Sequence, residues 1–142
     1  MGNVVVRDYM IPANDFTVAG EASSSVRKIL TQLGVTPHAV KRTSIAMYEA
    51  EINAVIHGHG GKAHVEIDEN KIFIQISDEG PGIADLELAM QEGYSTAPDS
   101  IREMGFGAGM GLSNIKKHSD LLKIDTEINR GTTVNITVFF NK

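Results

Sequence analysis

The sequence has no cysteine, no tryptophan and only four prolines in 142 residues, and its acidic side chains outnumber its basic ones. Without cysteine there is no disulfide framework, thiolate zinc site, iron–sulfur cluster or thiol nucleophile. Thirteen Lys and Arg against eighteen Asp and Glu leave a net charge of −5, which argues against nucleic-acid binding driven by phosphate neutralisation. No apolar run approaches the roughly 18 residues of a membrane span, and the start, MGNVVVRDYMIPANDF, lacks the basic and long apolar regions of a secretory signal. The expectation is a cytoplasmic protein with neither a membrane nor nucleic acid as direct partner.

What is present describes a globular chain: 42% hydrophobic and 22% charged residues, with no repeat, low-complexity tract or proline-rich linker. One domain over residues 1–142 is expected, large enough to bury about 70% of the surface its unfolded form exposes. Fourteen glycines direct attention to where they lie, because amides in a glycine-rich loop, or a metal held by an acidic or amide side chain, accommodate a polyphosphate even on an acidic protein.

Val4, Val5 and Val6 open an edge strand that ends near Pro12. Val26, Ile29, Leu30 and Leu33 recur at helical spacing between about Ala19 and Leu33, and Gly34 stops that helix. Thr36-Pro37 starts a long second helix running to His57. Ala63 to Ile67 and Ile72 to Ser77 alternate as a hairpin around Asp68-Glu69-Asn70-Lys71. A glycine turn over 78–83, a short helix over 85–91 and a mobile loop over about 92–106 follow. Glycines 105–111 then open a helix to about His118, and Leu121 to Thr126 and Thr132 to Phe140 form a second strand pair around Asn129-Arg130-Gly131. Helices alternating with hairpins predict an α/β (α+β) two-layer sandwich with a mixed, mostly antiparallel sheet covered on one face.

Three constellations could carry chemistry. Glu49, Asn53 and His57 stand at i, i+4 and i+8 of the second helix and share one face, at the border of a surface packed through Ala46, Ala50 and Ala54. Asp78-Glu79-Gly80-Pro81-Gly82-Ile83 presents a short carboxylate at a strand end beside glycines that admit a planar ligand; as plain structure it is a turn capped by Asp78. Gly105-Phe106-Gly107-Ala108-Gly109-Met110-Gly111-Leu112 sets four glycines at alternate positions before a helix, an arrangement suited to phosphate oxygens. It lies too late in the chain for a dinucleotide-binding βαβ turn and has no Lys-Ser/Thr pair of a P-loop.

In this order the segments resemble the nucleotide-binding domain shared by gyrase, the large heat-shock chaperone, histidine kinases and the mismatch-repair ATPase, often called the Bergerat fold. Glu49-x-x-x-Asn53 is similar to that family's N box, Asp78-x-Gly80-x-Gly82 to its first glycine box, Gly107-x-Gly109-x-Gly111-Leu112 to its second and Gly131-Thr132-Thr133 to its terminal box. Asn53-Ala54-Val55-Ile56-His57-Gly58 and the small size resemble most the bacterial anti-sigma-factor and switch-protein serine/threonine kinases.

The resemblance implies ATP and Mg²⁺ as cofactors. Asn53 would hold the metal and Asp78 would accept from the adenine amino group. Gly82 would let the base and ribose approach the main chain, Gly107, Gly109 and Gly111 would wrap the phosphates beneath a lid over about 92–106, and Gly80, Ile83, Gly105, Met110 and Leu112 would belong to the same ATP-binding set. Thr132 would complete the adenine site, with Thr133 on the other face of its strand. Glu49 would be the base, taking a proton from an acceptor hydroxyl in the kinase branch or from water in the ATPase branches. Glu51, two residues along, is expected on solvated surface. Gly107 stands where relatives often carry a basic residue for the terminal phosphate; Arg102 and Lys116 are substitutes that read equally as surface charge. His57, His59 and His64 do not have zinc spacing, and His57 and His118 read as caps on helix carboxyl ends.

The implied partner is a small antagonist protein with an acceptor serine or threonine, and a sigma factor is a second. The unpaired edge of the first strand suggests a homodimer. Two alternatives use the same residues: an ATP-gated partner-binding module with negligible transfer, and the catalytic domain of a split histidine kinase.

Overall fold

A computed structural model describes residues 4–13, 19–56, 60–80 and 111–141. In chain order the elements are β1 (Val5–Ile11), α1 (Glu21–Gln32), α2 (Pro37–Ile56), β2 (Gly61–Ile67), β3 (Lys71–Asp78), α3 (Gly111–His118), β4 (Leu121–Glu127) and β5 (Gly131–Phe139). The expected order of strands and helices holds for these. The helix over 85–91, the lid, His57 and His59 lie outside the described residues.

Periodicity accounts for α1, where Val26 and Leu30 bury completely and Ala22 with them. Leu33, expected on the same apolar stripe, is 54% exposed because it is the C-cap. The chain reverses at Gly34, whose φ of +79° suits glycine. Proline begins α2, where a missing amide costs nothing. This helix is buried on several sides, through Ala39, Val40, Ala46, Met47, Ala50, Ile52, Ala54 and Val55. The reason is its central position: α1 and α3 flank it and β3 and β5 lie beneath it.

The strands form one sheet in the order β1-β2-β3-β5-β4. All four pairings are antiparallel, so the expected parallel admixture is not seen among the described strands. Strict alternation sends Ala63, Val65, Ile72, Ile74, Ile76, Val134, Ile136 and Val138 toward the helices. Each fully buried Ile or Leu side chain contributes about 1.5–3 kcal/mol. The opposite face carries a polar row in register, Asp8, His64, Gln75, Asn135 and Lys123.

Two devices fix the layers. Asp68 Oδ1 accepts the Asn70 and Lys71 amides at 2.7 and 2.9 Å and closes the β2–β3 turn. Asp120, between α3 and β4, accepts the Arg42 guanidinium of α2 through both oxygens and the Phe139 amide at 2.7 Å. No helix among the described residues is long and apolar enough to cross a membrane.

Candidate functional site

The site begins on α2. Glu49 is half-buried, and burial raises its carboxyl above the usual carboxylate range; a hydrogen bond with the Asn114 side chain and the nearby His118 oppose that rise. Asn53 follows one turn later, also half-buried. The two helices run antiparallel, since Arg42 meets Asp120 and, seven residues on, Glu49 meets Asn114. The same register carries the first turn of α3, at Gly111, toward Asn53.

Asp78 ends β3 at the same end of the sheet where Gly61 enters from α2 and pairs with it. Its Oδ1 accepts the Gly80 amide at 2.9 Å and the Thr132 amide at 3.2 Å. The turn-capping role is therefore real, and it coexists with a connection to Thr132 that spans 54 residues of sequence. Oδ2 has no hydrogen-bond partner among the described residues. Thr132 is 9% exposed, and its hydroxyl lies 3.0 Å from that of Thr126. Thr133 alternates to the other face and pairs with Ser77.

Gly131 makes this juncture possible. It has φ +116°, and a Cβ there would stand 2.1 Å from the Asp78 carbonyl oxygen. Gly80 is buried beside it. Leu112 is buried in the core with Ile115, so any part it takes at the site is through its backbone. Gly82, Ile83, Gly105, Gly107, Gly109 and Met110 lie outside the described residues, as does Arg102. Lys116 is exposed on α3.

One expectation is corrected. Glu51 is not solvated: it is 2% exposed, and its carboxylate accepts the amides of Gly20, Ala22 and Ser23 at 2.9, 3.2 and 3.0 Å. It does point away from the Glu49 face, but that other face lies against α1. The N-cap of α1 is Gly20, which has no side chain to satisfy the first amides, and Glu51 supplies the missing acceptor.

The histidines have other roles. His64 bridges Asp8 at 2.7 Å and Glu66 at 2.8 Å on the open sheet face. His118 donates its Nδ1–H to the Asn114 carbonyl at 2.9 Å, as expected of a C-terminal cap.

The donor set suits a hard cation only in part. Asn53 offers an amide oxygen, the right donor for Mg²⁺, yet among the described residues no group of three or more His, Asp or Glu side chains could hold a metal alone. Asn53 could hold Mg²⁺ only together with phosphate oxygens of a bound nucleotide.

Residues 39–142 match the family described as histidine kinase-, DNA gyrase B- and HSP90-like ATPase. The chain is 32% identical over 126 residues to the anti-sigma F factor of Clostridium beijerinckii, which covers 84% of this chain and 85% of that one. To the anti-sigma F factor of Bacillus subtilis it is 31% identical over 127 residues, 85% of this chain and 84% of that one. Among solved structures, the RsbU and RsbW domains of a Mycobacterium tuberculosis protein superpose with a TM-score of 0.64 at 15% identity, over 95% of this chain and 33% of that one. The SiaB–SiaC complex of Pseudomonas aeruginosa gives 0.59 at 12% identity, over 92% and 88%. At these identities the structural likenesses show the fold alone.

Proposed function

Because the chain belongs to the histidine kinase-, DNA gyrase B- and HSP90-like ATPase family, we propose that it is an ATP-binding regulatory serine/threonine kinase of the anti-sigma-factor type. Its co-substrate is Mg-ATP, and its target is a hydroxyl of a small antagonist protein. The observation that carries this reading is Glu49, a half-buried carboxylate one turn from Asn53 on the helix that packs against α3.

Bound Mg²⁺ would neutralise phosphate charge, with Asn53 as its protein ligand. The chain's own residues do the rest. Oδ2 of Asp78, which has no hydrogen-bond partner among the described residues, accepts from the adenine amino group while Oδ1 keeps the β3 end fastened to Thr132. Gly111 opens α3, whose amino-terminal amides favour phosphate oxygens. Glu49 takes the proton of the acceptor hydroxyl as its oxygen bonds to the γ-phosphorus and the bond to the ADP oxygen breaks. One carboxylate is sufficient as base, because positioning and electrostatics supply most of the catalysis.

Several features support the partners. The relatives named anti-sigma F factors favour a sigma factor beside the phosphorylated antagonist. Val4, Val6 and Met10 are exposed on and beside the edge strand β1, which favours pairing with a second copy. The cytoplasm, where ATP is abundant, is the compartment this reading requires.

The test is transfer of label from γ-labelled ATP to a small acceptor protein by the native chain and by Glu49→Gln. Transfer that stops in the variant while partner binding persists supports the reading. Transfer that continues unchanged removes Glu49 as the base.

A further inference from the structure

On the helix side of the sheet, β4 carries Leu122 and Ile124 and β5 carries Val134, Ile136 and Val138, all packed on the core. Both strands change from aliphatic to hydroxyl-bearing at the same rung, because Thr126 is the register partner of Thr132. β3 changes there too, after Ile72, Ile74 and Ile76. Ser77 pairs with Thr133, so one step on Asp78 stands beside Thr132, whose amide it accepts at 3.2 Å. Asp78, Thr132 and Thr126 thus form a polar line across three strands, at the end of the apolar face those strands share.

The line is bonded along its length. The Thr126 and Thr132 hydroxyls lie 3.0 Å apart, and either can donate to the other. The carboxylate beside them decides the direction. Its negative charge attracts the Thr132 proton and repels the Thr132 lone pairs, so those lone pairs turn to Thr126, which donates. The Gly131 carbonyl oxygen, 3.3 Å from the Thr126 hydroxyl, is the more distant competitor for the same proton.

An adenine edge sets an amino donor next to a ring nitrogen, N1, which accepts. A carboxylate only accepts, so Asp78 answers the amino group and leaves N1 to another group. An acceptor taken from water without a donor loses the worth of its hydrogen bond. Thr132 is the hydroxyl at hand, but a hydroxyl rotates about its C–O bond, and one that gives its proton to Thr126 has none for the base. Donation from Thr126 prevents that.

We propose that Thr126 is a positioning residue for base recognition: it donates to the Thr132 oxygen and keeps the Thr132 proton directed at N1 of adenine, straight or through one water. Thr126 acts through Thr132 and touches no nucleotide itself. This inference rests on the reading that the chain binds ATP at Asp78.

The experiment titrates the full chain by calorimetry, in Mg²⁺, with ATP and with 1-deaza-ATP, which has a carbon in place of N1. The native chain should prefer ATP about tenfold, the scale of one hydrogen bond. Thr126→Val keeps the branched shape that suits a strand but has no proton to give. It should bind ATP about tenfold more weakly and 1-deaza-ATP within about twofold of native, so that the preference disappears. Thr126→Ser, which restores the hydroxyl, should keep the preference.

Equal losses of both ligands in Thr126→Val would overturn the proposal by showing a merely structural role. A preference that survives in Thr126→Val, or that is lost in Thr126→Ser as well, would also overturn it. A native chain that binds ATP without preferring it to 1-deaza-ATP removes this inference alone, whereas one that binds neither removes the nucleotide-binding reading and the inference with it.

Discussion

The Glu51 carboxylate accepts the Ser23 amide at 3.0 Å across 28 residues of sequence, and with the Gly20 and Ala22 amides it closes the amino end of α1. A carboxylate at that position also opposes the positive end of the helix dipole. Glu51→Ala should therefore strand buried amides and lower stability by about 3 kcal/mol. Glu51→Gln, which keeps an acceptor oxygen, should cost less. Urea denaturation of the three proteins checks this, and a loss under about 0.5 kcal/mol, the size of an ordinary surface change, would contradict it.

Gly131 lets β5 start against Asp78. Gly131→Ala places a Cβ 2.1 Å from the Asp78 carbonyl oxygen at φ +116°, and backbone cannot yield as a flexible side chain does. The expected outcome is a lower Tm together with weaker nucleotide binding, because the Asp78–Thr132 contact opens. Binding retained in a destabilised variant would separate that contact from the site.

The open sheet face offers a pH test. Hydrogen bonds to Asp8 and then Glu66 raise the His64 pKa above 6.5. A raised histidine contributes stability that is fully present below its unfolded value and is lost as pH rises through the folded value. The Tm difference between the native chain and His64→Gln should thus be larger at pH 6 than at pH 9. An equal or reversed difference would contradict the pairing.

Glu49 gives the opposite limb. Burial raises its carboxyl, and only the ionised form accepts a proton, so transfer should climb with pH through a limb above the ordinary carboxylate range. Rate profiles of the native chain and of Glu49→Gln measure this. A limb that persists in the variant belongs to another group.

Much of this was legible in the sequence, and the remainder was not for identifiable reasons. Val26 and Leu30 announced α1, Pro37 announced α2, and the alternation of Ile72, Ile74 and Ile76 announced a strand with one buried face. Those signals are local. Glu51 was misread because helical spacing tells which face a residue occupies but not what packs there. Leu33 fits the period of α1 and is still exposed, since the helix ends under it. The strand order, which brings β5 between β3 and β4 and so sets Thr132 beside Asp78, arises from long-range pairing that spacing does not encode.

The central claim is nucleotide binding through Asn53 and the glycine motifs, and calorimetric titration of ATP and ADP with and without Mg²⁺ tests it most directly. The native chain should bind ATP with an affinity that depends on Mg²⁺, and Asn53→Ala should lose that dependence while keeping its fold. No binding by the native chain, or identical Mg²⁺-dependent binding by Asn53→Ala, would contradict the account.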